Sequence, residues 1–160
     1  MGVDYSTRKV ALAYLPMDRG HPIVRSFDAP RRTTGIDAMR LMLKEYADWC
    51  CSALVLDCEV LVEAPIMGTS LNVQTAVNMG VAAGALLQCS IDYGATSADL
   101  VSPSFWKKSV VGIGNCDKEQ VRGWLATARP DLDAFVSTQD ECDAMCLALL
   151  SKYGATAIAP

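Results

Sequence analysis

Four carboxylates in this chain stand where a solvated acid is not expected. Asp4 lies beside Val3 inside the first expected strand, Glu63 ends the run Val60-Leu61-Val62, and Asp140 and Asp143 sit three apart at the start of a helical pattern. Burying an ionised carboxylate without a partner is costly, so each asks for a cation or a metal ion. Each also has a plainer reading alone: Asp4 as a strand-edge residue facing water, Glu63 as a strand-end residue, and the two aspartates as first-turn acids of a helix opened by the capping box Thr138-x-x-Glu141. Together they say more. Oxygen-only ligands in a group of four suit Mg²⁺ or Mn²⁺ rather than zinc. Two such ions roughly 4 Å apart can activate a water and stabilise the leaving oxygen in an in-line phosphodiester cleavage. Asp4, Glu63, Asp140 and Asp143 are therefore the expected metal ligands.

Such chemistry needs cations near the phosphate, because an attacked phosphodiester gains negative charge on its non-bridging oxygens. Lys118 lies beside the helix start Asp117-x-x-Gln120, whose free N–H groups also favour phosphate. Lys107 and Lys108 flank Trp106, a grouping suited to gripping a nucleic-acid backbone and stacking on a base, although a tryptophan there serves equally as a core anchor. Arg31 and Arg32, with Arg25, Arg40 and Lys44, could extend a DNA track. His21 reads as a turn residue with no part in metal binding.

Composition sets bounds on these readings. The chain has 160 residues and a net charge of −4, which argues against coating nucleic acid by bulk electrostatics. The charge is uneven, however. Residues 19–44 hold six Lys or Arg against two acids, residues 102–129 hold five against two, and residues 45–101 hold seven acids and no basic residue. Two basic surfaces on an acidic body could still grip a polyanion if they share a face; as ordinary solvated helix faces they would not. The seven cysteines include no CxxC pair, and their odd count and apolar neighbours suggest reduced core thiols. The polar, charged start Met1-Gly2-Val3-Asp4-Tyr5-Ser6 does not suit a signal peptide. A cytoplasmic protein is expected, in the host cytoplasm if phage-encoded. Residues 64–91 carry no charge, but Asn72, Gln74, Thr75, Asn78 and Gln88 interrupt them, so a buried helix or a subunit interface is expected rather than a membrane span.

The elements that must position the acids follow from periodicity. Val3–Thr7, Lys9–Leu15 and Ile23–Phe27 read as strands of an antiparallel meander with a turn at Asp18-Arg19-Gly20. Ile36, Met39, Leu43 and Tyr46 recur at helical spacing and predict a helix from about Thr34 to Cys51. Glu59–Glu63 is the next strand, its start blurred by Leu54–Leu56. A long helix over 71–93 carries the small pair Gly80 and Gly84 and stops at Gly94. Asp99–Ser102 is a short strand, and Ser102-Pro103 opens a helical turn through Lys108. Another helix starts at Asp117 with Val121, Trp124, Leu125 and Ala128 inward and ends at Pro130. The last begins near Thr138 with Cys142, Met145, Cys146 and Leu149 on its core side. The expectation is one α/β domain over 1–154 with a loose tail over 155–160: a mixed five-stranded sheet, three antiparallel strands followed by alternating helix and strand, with helices on both faces. If the first and fourth strands are neighbours, Asp4 and Glu63 converge, and a final helix across that edge delivers Asp140 and Asp143.

The order Asp4, Glu63, Asp140-x-x-Asp143-Ala144, with Lys107 and the run Ser109-Val110-Val111-Gly112-Ile113-Gly114 leading to Lys118, resembles the RuvC family of Holliday junction resolvases within the RNase H-like superfamily. The resemblance implies an RNase H-like fold and a Mg²⁺-dependent endonuclease, a homodimer that nicks two strands of a four-way DNA junction symmetrically. It also implies that the four acids bind metal, that Lys107 and Lys118 lie near the scissile phosphate, and that the uncharged helix over 71–93 forms the dimer. Two departures are visible. Many bacterial members have Pro-Gly after the first aspartate where this chain has Tyr5-Ser6, and an aromatic after the glutamate where it has Ala64-Pro65-Ile66-Met67. These forms resemble a phage-type branch with a wider range of branched DNA substrates. The alternatives are a related nuclease acting on flaps or RNA–DNA hybrids, and a non-catalytic dimer that binds branched DNA.

Overall fold

The computed structural model describes residues 1–17, 20–33, 35–53, 57–65 and 72–154. The expected turn at Asp18-Arg19, the helix start at Thr34, the stretch Leu54–Leu56, the pair Ile66-Met67, the helix start at Leu71 and the tail over 155–160 lie outside them.

Five strands form one sheet: β1 (Gly2–Tyr5), β2 (Lys9–Tyr14), β3 (Ile23–Asp28), β4 (Glu59–Glu63) and β5 (Ser97–Val101), in the order β3-β2-β1-β4-β5. β1, β2 and β3 pair antiparallel, whereas β1–β4 and β4–β5 are parallel. β1 ends at Tyr5 and not at Thr7, because the Ser6 N–H turns to the Lys9 carbonyl and the Ser6 hydroxyl accepts from the N–H groups of Arg8 and Lys9. β5 starts two residues earlier than expected, since Ser97 pairs with Glu59.

Side-chain alternation divides the sheet between two apolar layers. Val3, Tyr5, Val10, Leu12, Val60 and Val62 face α1 (Gly35–Ala53) and α2 (Val73–Asp92). Ala11, Ala13, Leu15, Leu61 and Val101 face α3 (Pro103–Val110), α4 (Lys118–Ala128), the one-turn α5 (Pro130–Asp133) and α6 (Gln139–Tyr153). The inward stripe of α1 runs Ala38, Met39, Met42, Tyr46 and Cys50, and Ile36 is exposed in the first turn. In α4 Val121 and Leu125 are buried, but Ala128, in the last turn, is exposed. Pro130 both closes α4 and opens α5, as a proline at the first helical position can. Among the described residues all seven cysteines are free thiols, and no helix is long and apolar enough to cross a membrane.

Helix α6 departs most from the amphipathic reading. Every residue from Glu141 to Leu150 is buried, so the helix is enclosed and not laid on the surface. Its approach to β1 is close: a Cβ on Gly2 would stand 2.1 Å from the Ala144 carbonyl oxygen and 2.4 Å from the Ala148 nitrogen. Only glycine allows this contact, which brings the first turn of α6 over the end of β1.

Candidate metal and phosphate site

The facing rule that splits the core also aims the acids. Gly2 and Leu61 are register partners on the parallel strands β1 and β4, and both face α6. Two residues on, at the C-terminal ends of those strands, Asp4 and Glu63 face the same way. C-terminal ends of parallel strands are where open α/β sheets place ligands. Thr138 caps α6 in the expected capping box, which puts Asp140 and Asp143 in its opening turns. All four acids line one open cleft of about 320 Å³, together with Tyr5, Ser6, Lys9, Pro103, Lys107 and Lys118.

Three of the acids are each held by one side-chain donor. The Trp106 indole N–H donates to Glu63 Oε2 at 3.0 Å, Gln139 Nε2 donates to Asp143 Oδ1 at 2.9 Å, and Lys9 Nζ lies 3.0 Å from Asp140 Oδ2. Asp4 has no side-chain donor of this kind among the described residues, and only the Tyr5 backbone N–H works in its favour. Burial first, then the charges of Glu63, Asp143 and Asp140, push its carboxyl up to about 8. Burial also raises Glu63 and Asp143, against the opposing pull of Trp106 and Gln139 and of the Lys107 and Lys118 charges. Glu141 belongs elsewhere. Its burial is outweighed by hydrogen bonds from the Ser26 hydroxyl and the Ser137 and Thr138 N–H groups, so it is lowered.

The donor set suits a hard divalent ion: oxygen only, crowded with like charge, and in need of positive charge. Asp4, Glu63, Asp140 and Asp143 would hold it. Among the described residues no three of these side chains are already gathered into a finished coordination shell; three of them turn instead to Trp106, Gln139 and Lys9. Lys9 marks the place for positive charge.

Lys107 and Lys118 both reach the cleft. Lys107 Nζ also donates to the Cys116 carbonyl at 2.9 Å, and Lys118 is the first residue of α4, next to its cap Asp117. Trp106 corrects the sequence reading. It is 0% exposed, so its ring cannot stack on a base, and its edge holds Glu63 instead. Lys108, Arg31 and Arg32 are exposed and do not line the cleft, while Lys44 pairs with Asp48 along α1. Sequence reasoning missed Lys9, Gln139 and the Trp106–Glu63 bond. For Lys9 a signal existed: the alternation that turns Ala11 and Ala13 toward α6 turns Lys9 the same way.

No family model matches the chain. The crossover junction endodeoxyribonuclease RuvC of Chloroherpeton thalassium is 31% identical over 88 residues, which are 55% of this chain and 46% of that protein. The chain thus spans less than half the length of the curated relative it matches. Thermus thermophilus RuvC superposes with a TM-score of 0.67 at 15% identity, covering 92% of this chain and 89% of that one. T. thermophilus RuvC in complex with Holliday junction substrate gives 0.64 at 16% identity, with coverages of 92% and 88%. The fold is that of RuvC, the expected α/β architecture holds, and the resemblance to the RuvC family read from the residues is borne out. The phage-type assignment rests on the residues alone.

Proposed function

We propose that this chain is a divalent-metal-dependent endonuclease of the RuvC type, acting in the cytoplasm on four-way DNA junctions and on other branched DNA. The observation that carries this reading is the convergence of Asp4, Glu63, Asp140 and Asp143 on one cleft that Lys107 and Lys118 also reach. The chemistry supplied by Mg²⁺, or Mn²⁺ in its place, at such a site is activation of the attacking water and stabilisation of the leaving oxygen. The four acids would hold such ions. Lys107 and Lys118 neutralise charge that develops on the non-bridging oxygens as the water oxygen bonds to phosphorus and the opposite P–O bond breaks. Trp106 keeps Glu63 turned into the cleft. Lys108, Arg31 and Arg32 contact backbone farther out.

Paired nicks require two such sites. The outward face of α2 supports a homodimer: Val73, Val77 and Val81 are exposed, and Gly80 and Gly84 have open space where a side chain would be. Small residues in such a stripe let a second helix approach closely. In the test, labelled four-way junction, flap, linear duplex and RNA–DNA hybrid are incubated with wild type and Val81→Asp, with Mg²⁺ and with chelator. Wild type should cut the junction in paired symmetric nicks only with metal. Val81→Asp should run at monomer mass in light scattering and lose the pairing. Preferential cutting of the hybrid or flap would favour the related nuclease, and binding without any cutting would favour a non-catalytic dimer.

A further inference from the structure

Lys9 is placed oddly for a residue that only fastens two elements. It projects from β2 into the cleft, where its ammonium sits 3.0 Å from Asp140 Oδ2, the two side chains being 20% and 34% exposed. Asp28, its register partner on β3, and Glu141 also contribute to the negative field at Lys9, Asp28 the more, but neither is in ion-pair contact with it, and the Glu141 oxygens are already taken by the Ser26 hydroxyl and two backbone N–H groups. The lysine is thus left on an acid that has no other side-chain donor among the described residues and that faces the other three carboxylates. An ammonium has one charge, a flexible four-carbon stem and no fixed coordination geometry, which suits a cation that must later give way.

We infer that Lys9 is a resident counter-ion of the acid cluster: it holds Asp140 while the site is without metal, and a divalent ion has to displace it from Asp140 Oδ2. The inference rests on the metal-dependent reading above. Lys9 then sets the affinity of the site, because every binding event breaks one ion pair. Removing the ammonium while keeping the stem should tighten metal binding, whereas a merely structural pair predicts lower stability with unchanged or weaker binding.

The test is a Mn²⁺ titration followed by the EPR signal of the free ion, on wild type, Lys9→Met, Lys9→Arg and Asp140→Asn. Lys9→Met should bind about two- to fivefold tighter than wild type, the range that a partly exposed ion pair commands. Lys9→Arg should stay near wild type, and Asp140→Asn should bind more weakly. Equal or weaker binding by Lys9→Met, with Asp140→Asn impaired, would overturn the role of Lys9 and leave the metal reading intact. No Mn²⁺ binding by wild type would overturn the metal reading, and Lys9's role with it. If Lys9→Met does not fold, the ¹⁵Nζ resonance of Lys9 in wild type decides, assigned by its loss in Lys9→Arg. It should move along the Mg²⁺ binding curve, and a resonance indifferent to Mg²⁺ at saturation would overturn the inference.

Discussion

Asp4→Asn should abolish metal-dependent cleavage of a four-way junction while the protein stays folded and still binds the junction. Loss of an outer partner of a metal ligand costs about 10–100-fold in affinity or activity, and loss of a ligand itself should exceed that. The same substitution should stabilise the metal-free protein. Asp4 is held near 8 in the folded state by burial and by Glu63, Asp143 and Asp140, against an ordinary value of 3.8. The folded state therefore keeps a proton that the unfolded chain releases, and wild-type stability falls as pH rises from about 4 to about 8. Asparagine carries no such charge. The gain in Tm of Asp4→Asn over wild type should be small at pH 4 and grow toward pH 8, by up to about 1.4 kcal/mol per pH unit. Mg²⁺ should raise the Tm of wild type and barely move the variant. Calorimetry at several pH values checks both signs, and a gap that shrinks with rising pH would contradict the retained proton on Asp4.

Gly2→Ala should be the most damaging of the smallest substitutions. Its methyl would meet Ala144 O at 2.1 Å, Ala148 N at 2.4 Å and Leu147 Cβ at 2.6 Å, two of them backbone atoms that cannot swing aside. Overpacking of this kind costs about 1–3 kcal/mol and occasionally more, here the upper end or beyond, or roughly 10 °C in Tm for a chain this long. Because the contact seats α6 on β1, it also sets how near Asp140 and Asp143 come to Asp4, so cleavage should fall even below the melting transition. Gly123→Ala is the control. It lies in α4 with open space where the methyl would go, and should be neutral or slightly stabilising.

The site was legible where local periodicity decides it. The two-residue repeat of strands gave Asp4 and Glu63 a common face once β1 and β4 were neighbours, and Asp117 and Thr138 announced the helix starts that place Lys118, Asp140 and Asp143. What stayed hidden depends on partners distant in the chain. Trp106 finds Glu63 43 residues earlier, so its neighbours Lys107 and Lys108 suggested a nucleic-acid contact that its burial forbids. The enclosure of α6 was missed for a related reason: a helical stripe reveals one buried face, and nothing in Cys142-Asp143-Ala144-Met145-Cys146 announces that the opposite face is covered too. Lys9 was passed over because a lysine in a strand reads as an edge charge until the acid opposite it is known.

If residues 4, 63, 140 and 143 form one divalent-metal site, anomalous diffraction from Mn²⁺-soaked crystals will locate the ions there. Two manganese peaks in the cleft, each within coordinating reach of these carboxylates, are the expected result. A cleft without a peak at saturating Mn²⁺ would rule out a metal site formed by these four acids.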